Sequence, residues 1–220
     1  MTAMSEGMEK KLSQREYRDA DGYKPSTDEA KDEYVITGCA SRFNSKYTLY
    51  EDEDFRILEQ VDSHAFDGCD MTDVIMQYNH EGHVLARTRN GTLKVEATED
   101  GLMFEADLSG TTISKQAYEE VRGGFTDKMS FGFHVAEDEM STTVEPKENG
   151  KTMRVATRTI KRIDKLYDVS LVSIPANDAT SVSARSYIHG VMEAAEAERL
   201  MESRRKALEL RIRILTGGSK

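Results

Sequence analysis

The stretch FTDKMSFGFHVAED, Phe125 to Asp138, reads as a β-strand. Met129, Phe131, Phe133 and Val135 recur with period two on one side, leaving Ser130, Gly132 and His134 on the other. The expectation is a half-buried strand with its apolar side in the core and Ser130 on the solvated side. A hydroxyl in that position is ordinarily a polar filler. It acquires chemistry only when a base comes within hydrogen-bonding reach.

Outward from this strand the chain continues in the same style. EYVITGCASRFN and DFRILEQVDSHAF read as extended segments, the second ending in the turn DGCD, and DVIMQYNHEGH as a third with Val74, Met76, Tyr78 and His80 sharing a face. GTLKVEATEDGLMFEADLSG is the clearest hairpin: Leu93, Val95 and Ala97 alternate on one arm and Leu102, Phe104, Ala106 and Leu108 on the other, with Gly101 expected to supply the turn. In TTISKQAYEEVRGG the period changes, Ile113, Ala117 and Val121 recurring every four residues before Gly123 and Gly124, which predicts a helix. KENGK predicts a second hairpin leading into TRTIKRIDKLYDVSLVSIPAN, with Pro175 ending the strand region.

The two ends differ from this middle. Residues 1–33 are charged and small, with little apolar periodicity, and are expected to form a mobile polar arm. From about residue 187 the chain is rich in Ala, Glu, Arg and Leu, which predicts a helical extension over 187–220. The globular domain is therefore expected over residues 34–186.

Composition narrows the function. Forty acidic side chains against thirty basic give a net charge of −10, which argues against general nucleic-acid binding, because such binding depends on neutralising phosphates. Two cysteines, Cys39 and Cys69, make no disulfide framework and no CxxC pair. The first residues lack the apolar segment of a secretion signal and no run approaches a membrane span, so a soluble protein retained inside a cell is expected.

Nucleophilic serine chemistry needs a base and a third group that orients it. Three strands each offer one such residue: Ser130 in KMSFGF, His80 at the end of DVIMQYNH, and Asp168 in KLYDVSLV. Taken singly, each has a bland role, as strand polar, turn histidine or edge charge. Lys-Met-Ser-Phe-Gly is not a GxSxG elbow, so an α/β-hydrolase is not indicated. HEGH sets His80 and His83 three apart, whereas a zincin helix needs four for both imidazoles to converge. His134 is four residues along the strand from Ser130, about 13 Å away, too far to serve as its base.

The order of the segments resembles the phage prohead maturation proteases, serine proteases of tailed phages with a herpesvirus assemblin-like fold. The resemblance spans about residues 34–185 and is carried by GCASRFN, NHEGHVLARTRNGTLKVEATEDGLMFEADL, SFGF and RTIKRIDKLYDVSLVSIPANDATSVSAR. It implies a mostly β fold with a few helices, a closed or nearly closed antiparallel barrel. It implies Ser130 as nucleophile and His80 as base, with Asp168 at the position where phage members carry an acid. No cofactor or metal is expected. The implied partners are the major capsid protein and scaffold, with possible self-association and neither nucleic acid nor membrane. The implied setting is the prohead in the host cytoplasm, and the implied activity is cleavage of scaffold or of the capsid protein's scaffolding segment, together with self-processing. A catalytically silent assembly protein of the same fold is the alternative.

Overall fold

The structure is a computed structural model that describes residues 15–19, 26–27, 34–173, 190–193, 197, 200–201, 203–209 and 211–212 of the 220-residue chain. Its strands are β1 (Arg15–Asp19), β2 (Ser26–Thr27), β3 (Val35–Ser41), β4 (Tyr47–Glu51), β5 (Phe55–Val61), β6 (Ile75–Tyr78), β7 (Glu81–Arg87), β8 (Leu93–Thr98), β9 (Gly101–Asp107), β10 (Lys128–Pro146) and β11 (Thr152–Val172). A helix, α1 (Thr112–Arg122), lies between β9 and β10.

Two sheets share these strands. The larger runs β1-β10-β11-β5-β4, and the smaller runs β2-β3-β9-β8. The 21-residue β11 serves both halves of the larger sheet: its first part, Arg154 to Ile160, pairs in parallel with β5, while farther along Asp168 and Leu171 pair in parallel with Ile75 and Tyr78 of β6. β6 in turn carries β7 antiparallel. Along its other edge β11 pairs antiparallel with β10 through repeated register shifts between Gly132 and Asp138, and such bulges bend and twist a strand pair.

The mostly β class with few helices is as expected, but the closed or nearly closed antiparallel barrel is not what forms. The larger sheet curls into an open half-barrel and contains two parallel pairings. The smaller sheet covers it as a second layer instead of closing it. Alternation predicts a strand and its buried side but not which neighbour it takes. Between the layers, Ile36, Leu102, Phe104 and Ala106 pack with Met129, Phe131, Phe133, Ile160 and Leu171, all buried.

Local readings are refined in several places. The turn of the 93–107 hairpin is Glu99–Asp100. Gly101 opens β9 at φ +142°, where a Cβ would meet Ser41 O and lie 2.8 Å from Cys39 Sγ. The helix buries Ser114, Ala117, Tyr118 and Val121 and leaves Ile113 exposed. Its N-cap is Thr111, whose side chain accepts from Ser114 N at 3.0 Å, and Ser114 Oγ donates to Leu85 O at 2.8 Å. The KENGK turn is where it was expected, with Gly150 at φ +76°. Pro175 lies outside the described residues.

The polar arm needs the larger correction. Arg15–Asp19, inside the expected 1–33 arm, is a strand paired antiparallel with β10 from His134 to Ser130. Its alternation is charged, not apolar: Glu16 and Arg18 point inward and are buried. Arg18 binds Glu16 at 2.6 Å and Glu59 at 2.9 Å, while Arg158 binds Glu16 and Glu59 at 2.8 Å and also pairs with Asp138. Burial alone would raise the Glu59 pKa, but the Arg18 and Arg158 cations bring it down to about 2. In the C-terminal extension the described residues are helical, and Val191 and Met192 pack on a small cluster of Leu49, Phe55, Ile57 and Ala156.

Removing one cation from this network leaves buried carboxylates uncompensated. Arg158→Met is expected to cost about 3–5 kcal/mol of stability, read as the free energy of denaturant unfolding at pH 7. A loss under 1 kcal/mol would mean the network is not holding β1. Because folding lowers the Glu59 pKa, the unfolded chain binds the extra proton as pH falls. Glu59's contribution is present above the ordinary carboxylate range and is lost as pH falls towards about 2.

Candidate active site

Ser130 occupies the third position of β10, between β1 and β11: its backbone partners are Asp19 on one side and Ser170 on the other. It is 1% exposed, so the expectation of a solvated serine is corrected. The face opposite the core is itself covered there, by the His80 ring from the β6–β7 turn.

That turn delivers the histidine. Tyr78 pairs with Glu81, leaving Asn79 and His80 as a two-residue hairpin loop, at φ +52° and +60°. Left-handed conformation at both central residues is that of a type I′ turn, which matches the twist of the flanking strands. Asn accepts this conformation readily, and His is among the side chains enriched there. The loop is pinned to the end of β11: Asn79 N donates to Leu171 O at 2.8 Å, and Asn79 Oδ1 accepts from Ser173 N at 3.0 Å. Because β6 lies beside β11 in the curled sheet, this pinned loop overhangs β10.

The three expected residues come together there. His80 Nε2 lies 2.7 Å from Ser130 Oγ, and His80 Nδ1 lies 2.6 Å from Asp168 Oδ1. A carboxylate only accepts, so Nδ1 carries the proton and Nε2 is left to accept from the serine hydroxyl. Both ring nitrogens are thereby engaged, which leaves His80 none to share with His83 in a metal site. Among the described residues no group of three or more His, Cys, Asp or Glu side chains could hold a metal ion. His134 pairs instead with Asp164 at 2.6 Å.

Asp168 is fully buried. Oδ1 also accepts from Ser170 Oγ at 2.6 Å, and Oδ2 pairs with the Arg15 guanidinium. A register shift lies beside it, since Gly132 pairs with Asp168 and Phe133 with Leu166, so that Tyr167 is an extra residue in β11. Gly132 is the direct neighbour of Asp168 and makes room for its carboxylate. A Cβ at 132 would fall on Asp168 Oδ2 and within 2.9 Å of Arg15 Nε. On the other side of Gly132 stands Tyr17, whose ring meets the His80 ring edge-on at 4.3 Å. Burial disfavours the charged imidazole, and the Arg15 cation adds to this, so the His80 pKa is pushed down to about 4.

Sequence reasoning missed Arg15, Tyr17, Ser170 and the role of Gly132. Three of these had a signal. Ser170 follows Asp168 by two residues on a strand and so shares its face. In REYRD, Arg15 and Tyr17 alternate with Glu16 and Arg18, a period-two pattern written in charges.

The chain was compared with known proteins. The family model described as caudovirus prohead serine protease matches residues 22–193, and the chain belongs to that family. No curated protein and no solved structure matches it.

Gly132→Ala tests the packing around the carboxylate without substituting any of the three residues. The added methyl displaces Asp168 or Arg15, and a stability loss of about 1–3 kcal/mol is expected, together with a His80 imidazole NMR titration that departs from wild type. An unchanged titration would show that the carboxylate does not depend on the gap.

Proposed function

We propose that the chain is the maturation endopeptidase of a phage prohead, with Ser130 as nucleophile, His80 as general base and Asp168 as the group that orients the imidazole. The observation that carries this reading is the continuous Ser130–His80–Asp168 hydrogen-bond chain, at 2.7 and 2.6 Å, in a chain of the prohead serine protease family.

In the first step Ser130 Oγ attacks the scissile carbonyl carbon as its proton passes to His80 Nε2. The C–O bond forms, and the carbonyl π electrons move onto oxygen. Asp168 stabilises the resulting imidazolium through Nδ1–H. His80 then returns the proton to the departing amine nitrogen, the peptide C–N bond breaks, and an acyl-serine remains. Water repeats the sequence with His80 as base, releasing the acid and restoring Ser130. A resting His80 that is neutral across the physiological range is ready to accept the serine proton, and the paired carboxylate offsets the cost of charging a buried ring.

The substrates of this reading are scaffold or the scaffolding segment of the major capsid protein, within the prohead in the host cytoplasm, with trimming of the chain itself. No helix among the described residues is long and apolar enough to cross a membrane, and the net charge of −10 disfavours packaged nucleic acid as a partner.

Ser130→Ala is expected to abolish cleavage of co-expressed capsid protein and any self-trimming, read as intact masses beside wild type. It should cost only about 1 kcal/mol of stability, for one lost hydrogen bond. Unchanged cleavage would remove the serine mechanism, and a wild type inert towards both would favour the silent assembly protein.

The pH profile provides a second check. His80 loses its function as a base only when protonated, so the acid limb of kcat/KM is expected near pH 4 and not near the ordinary imidazole value of 6.5. Activity at pH 5.5 would then be close to its plateau. A limb centred at 6.5 would contradict the buried, cation-flanked imidazole described above.

A further inference from the structure

We propose that Arg15 is a positioning residue for the reaction, reaching from β1 across the gap at Gly132 to hold the Asp168 carboxylate against His80, so that the N-terminal strand is a working part of the site. The inference rests on the serine-protease reading above and extends it to a residue outside the family match, which begins at residue 22.

The register makes this reach possible. β1, β10 and β11 are successive strands, with Arg15 opposite His134, Tyr17 opposite Gly132, and Gly132 opposite Asp168. With any larger residue at 132, a side chain would stand between the first strand and the third. With glycine, the guanidinium passes over β10 and its Nη2 pairs with Asp168 Oδ2, leaving Oδ1 to His80 and Ser170. The two carboxylate oxygens are thus divided between a fixed cation and the base.

Arg15 is itself held. Its guanidinium lies 4.5 Å from the centre of the Tyr167 ring and 5.0 Å from that of Tyr17, and cations favour the faces of such rings. The register shift at Tyr167 turns that ring to the same side as Asp168, which places it under the cation. On the opposite face of β1, Glu16 and Arg18 lock the strand into the buried network with Glu59 and Arg158. The strand is therefore anchored by one set of alternating residues and presents the other set to the site.

The groups that face His80 are Arg15 and Tyr17 from β1, Ser130 from β10, and Asp168 and Ser170 from β11, with Asn79 and Glu81 its neighbours in sequence. Arg15 is the cation among them. It therefore acts twice, orienting the carboxylate that orients the imidazole and disfavouring the imidazolium until a substrate calls for it. Removal of residues 1–19 would take this cation away, so N-terminal trimming that leaves an active enzyme has to stop short of Arg15.

The experiment uses the full chain as wild type, Arg15→Ala, Arg15→Gln and Arg15→Lys. Two quantities are followed from pH 3.5 to 8: the rate at which diisopropyl fluorophosphate phosphorylates Ser130, and the NMR titration of the His80 ring. In this phosphorylation the Ser130 Oγ–P bond forms, P–F breaks, fluoride leaves and the serine proton passes to His80. Arg15→Ala is expected to slow the plateau rate about 10- to 100-fold and to move both the acid limb and the His80 midpoint up by about one pH unit. Arg15→Lys keeps the charge and is expected to retain the wild-type midpoint with a smaller loss of rate. Should Arg15→Ala fail to fold, Arg15→Gln must show the same upward shift. A His80 midpoint that stays with wild type in the neutral variants overturns the proposal, because a strand anchor alone would slow the reaction without moving it. Wild type that is not labelled at Ser130 overturns the serine reading, and this inference with it. Normal labelling with coincident profiles overturns the inference alone.

Discussion

The Asp168 carboxylate lies with no exposed surface in the middle of a curled sheet, and a buried charge of that kind persists only where it is paired and hydrogen-bonded. Its partners come from three directions: Arg15 on β1, Ser170 on β11 itself and His80 on the loop after β6. Its room comes from the missing side chain of Gly132. Satisfying this one group dictates much of the surrounding architecture. A parallel β6 brings the histidine loop to the end of β11, the register shift turns Tyr167 towards the guanidinium, and β1 carries that guanidinium to the edge of the sheet.

The same strands carry a second charged layer on their other face, where Arg18 and Arg158 meet Glu16, Glu59 and Asp138. The two layers have different consequences. The inner network joins β1, β5, β10 and β11, setting two guanidiniums among three carboxylates, and its effect is to fix β1. The outer set puts a neutral, low-pKa imidazole beside a serine hydroxyl and is poised to change protonation. Rigidity on one side would thus support the proposed proton transfer on the other, since a general base is effective only when its geometry is held.

The strands of the middle region were legible because burial writes period two into residues such as Met129, Phe131 and Phe133. The helix at 112–122 and both hairpins were legible for similar reasons, although Ile113 shows that a four-residue recurrence can select the wrong edge of a helix face. Ser130, His80 and Asp168 could be named from side-chain chemistry and the order of the segments, but their meeting could not be read from sequence. It depends on parallel pairings between strands distant in the chain. β1 was illegible because hydropathy is blind to it: its buried positions are Glu16 and Arg18, and a charged strand looks like a solvated arm until Glu59 and Arg158 are known to lie opposite. The closed barrel failed for a related reason, since alternation marks a buried face without saying which sheet it completes.

The claim on which the account depends is that Ser130, made nucleophilic by His80, is the reacting group. Peptide mapping by mass spectrometry after treatment with a fluorophosphonate at pH 6 tests it most directly. The account predicts a single stoichiometric adduct on the peptide containing Ser130, and none on that peptide in His80→Gln, a variant whose circular dichroism should match wild type. An adduct on another residue, or equal labelling of Ser130 with and without the imidazole, would contradict it.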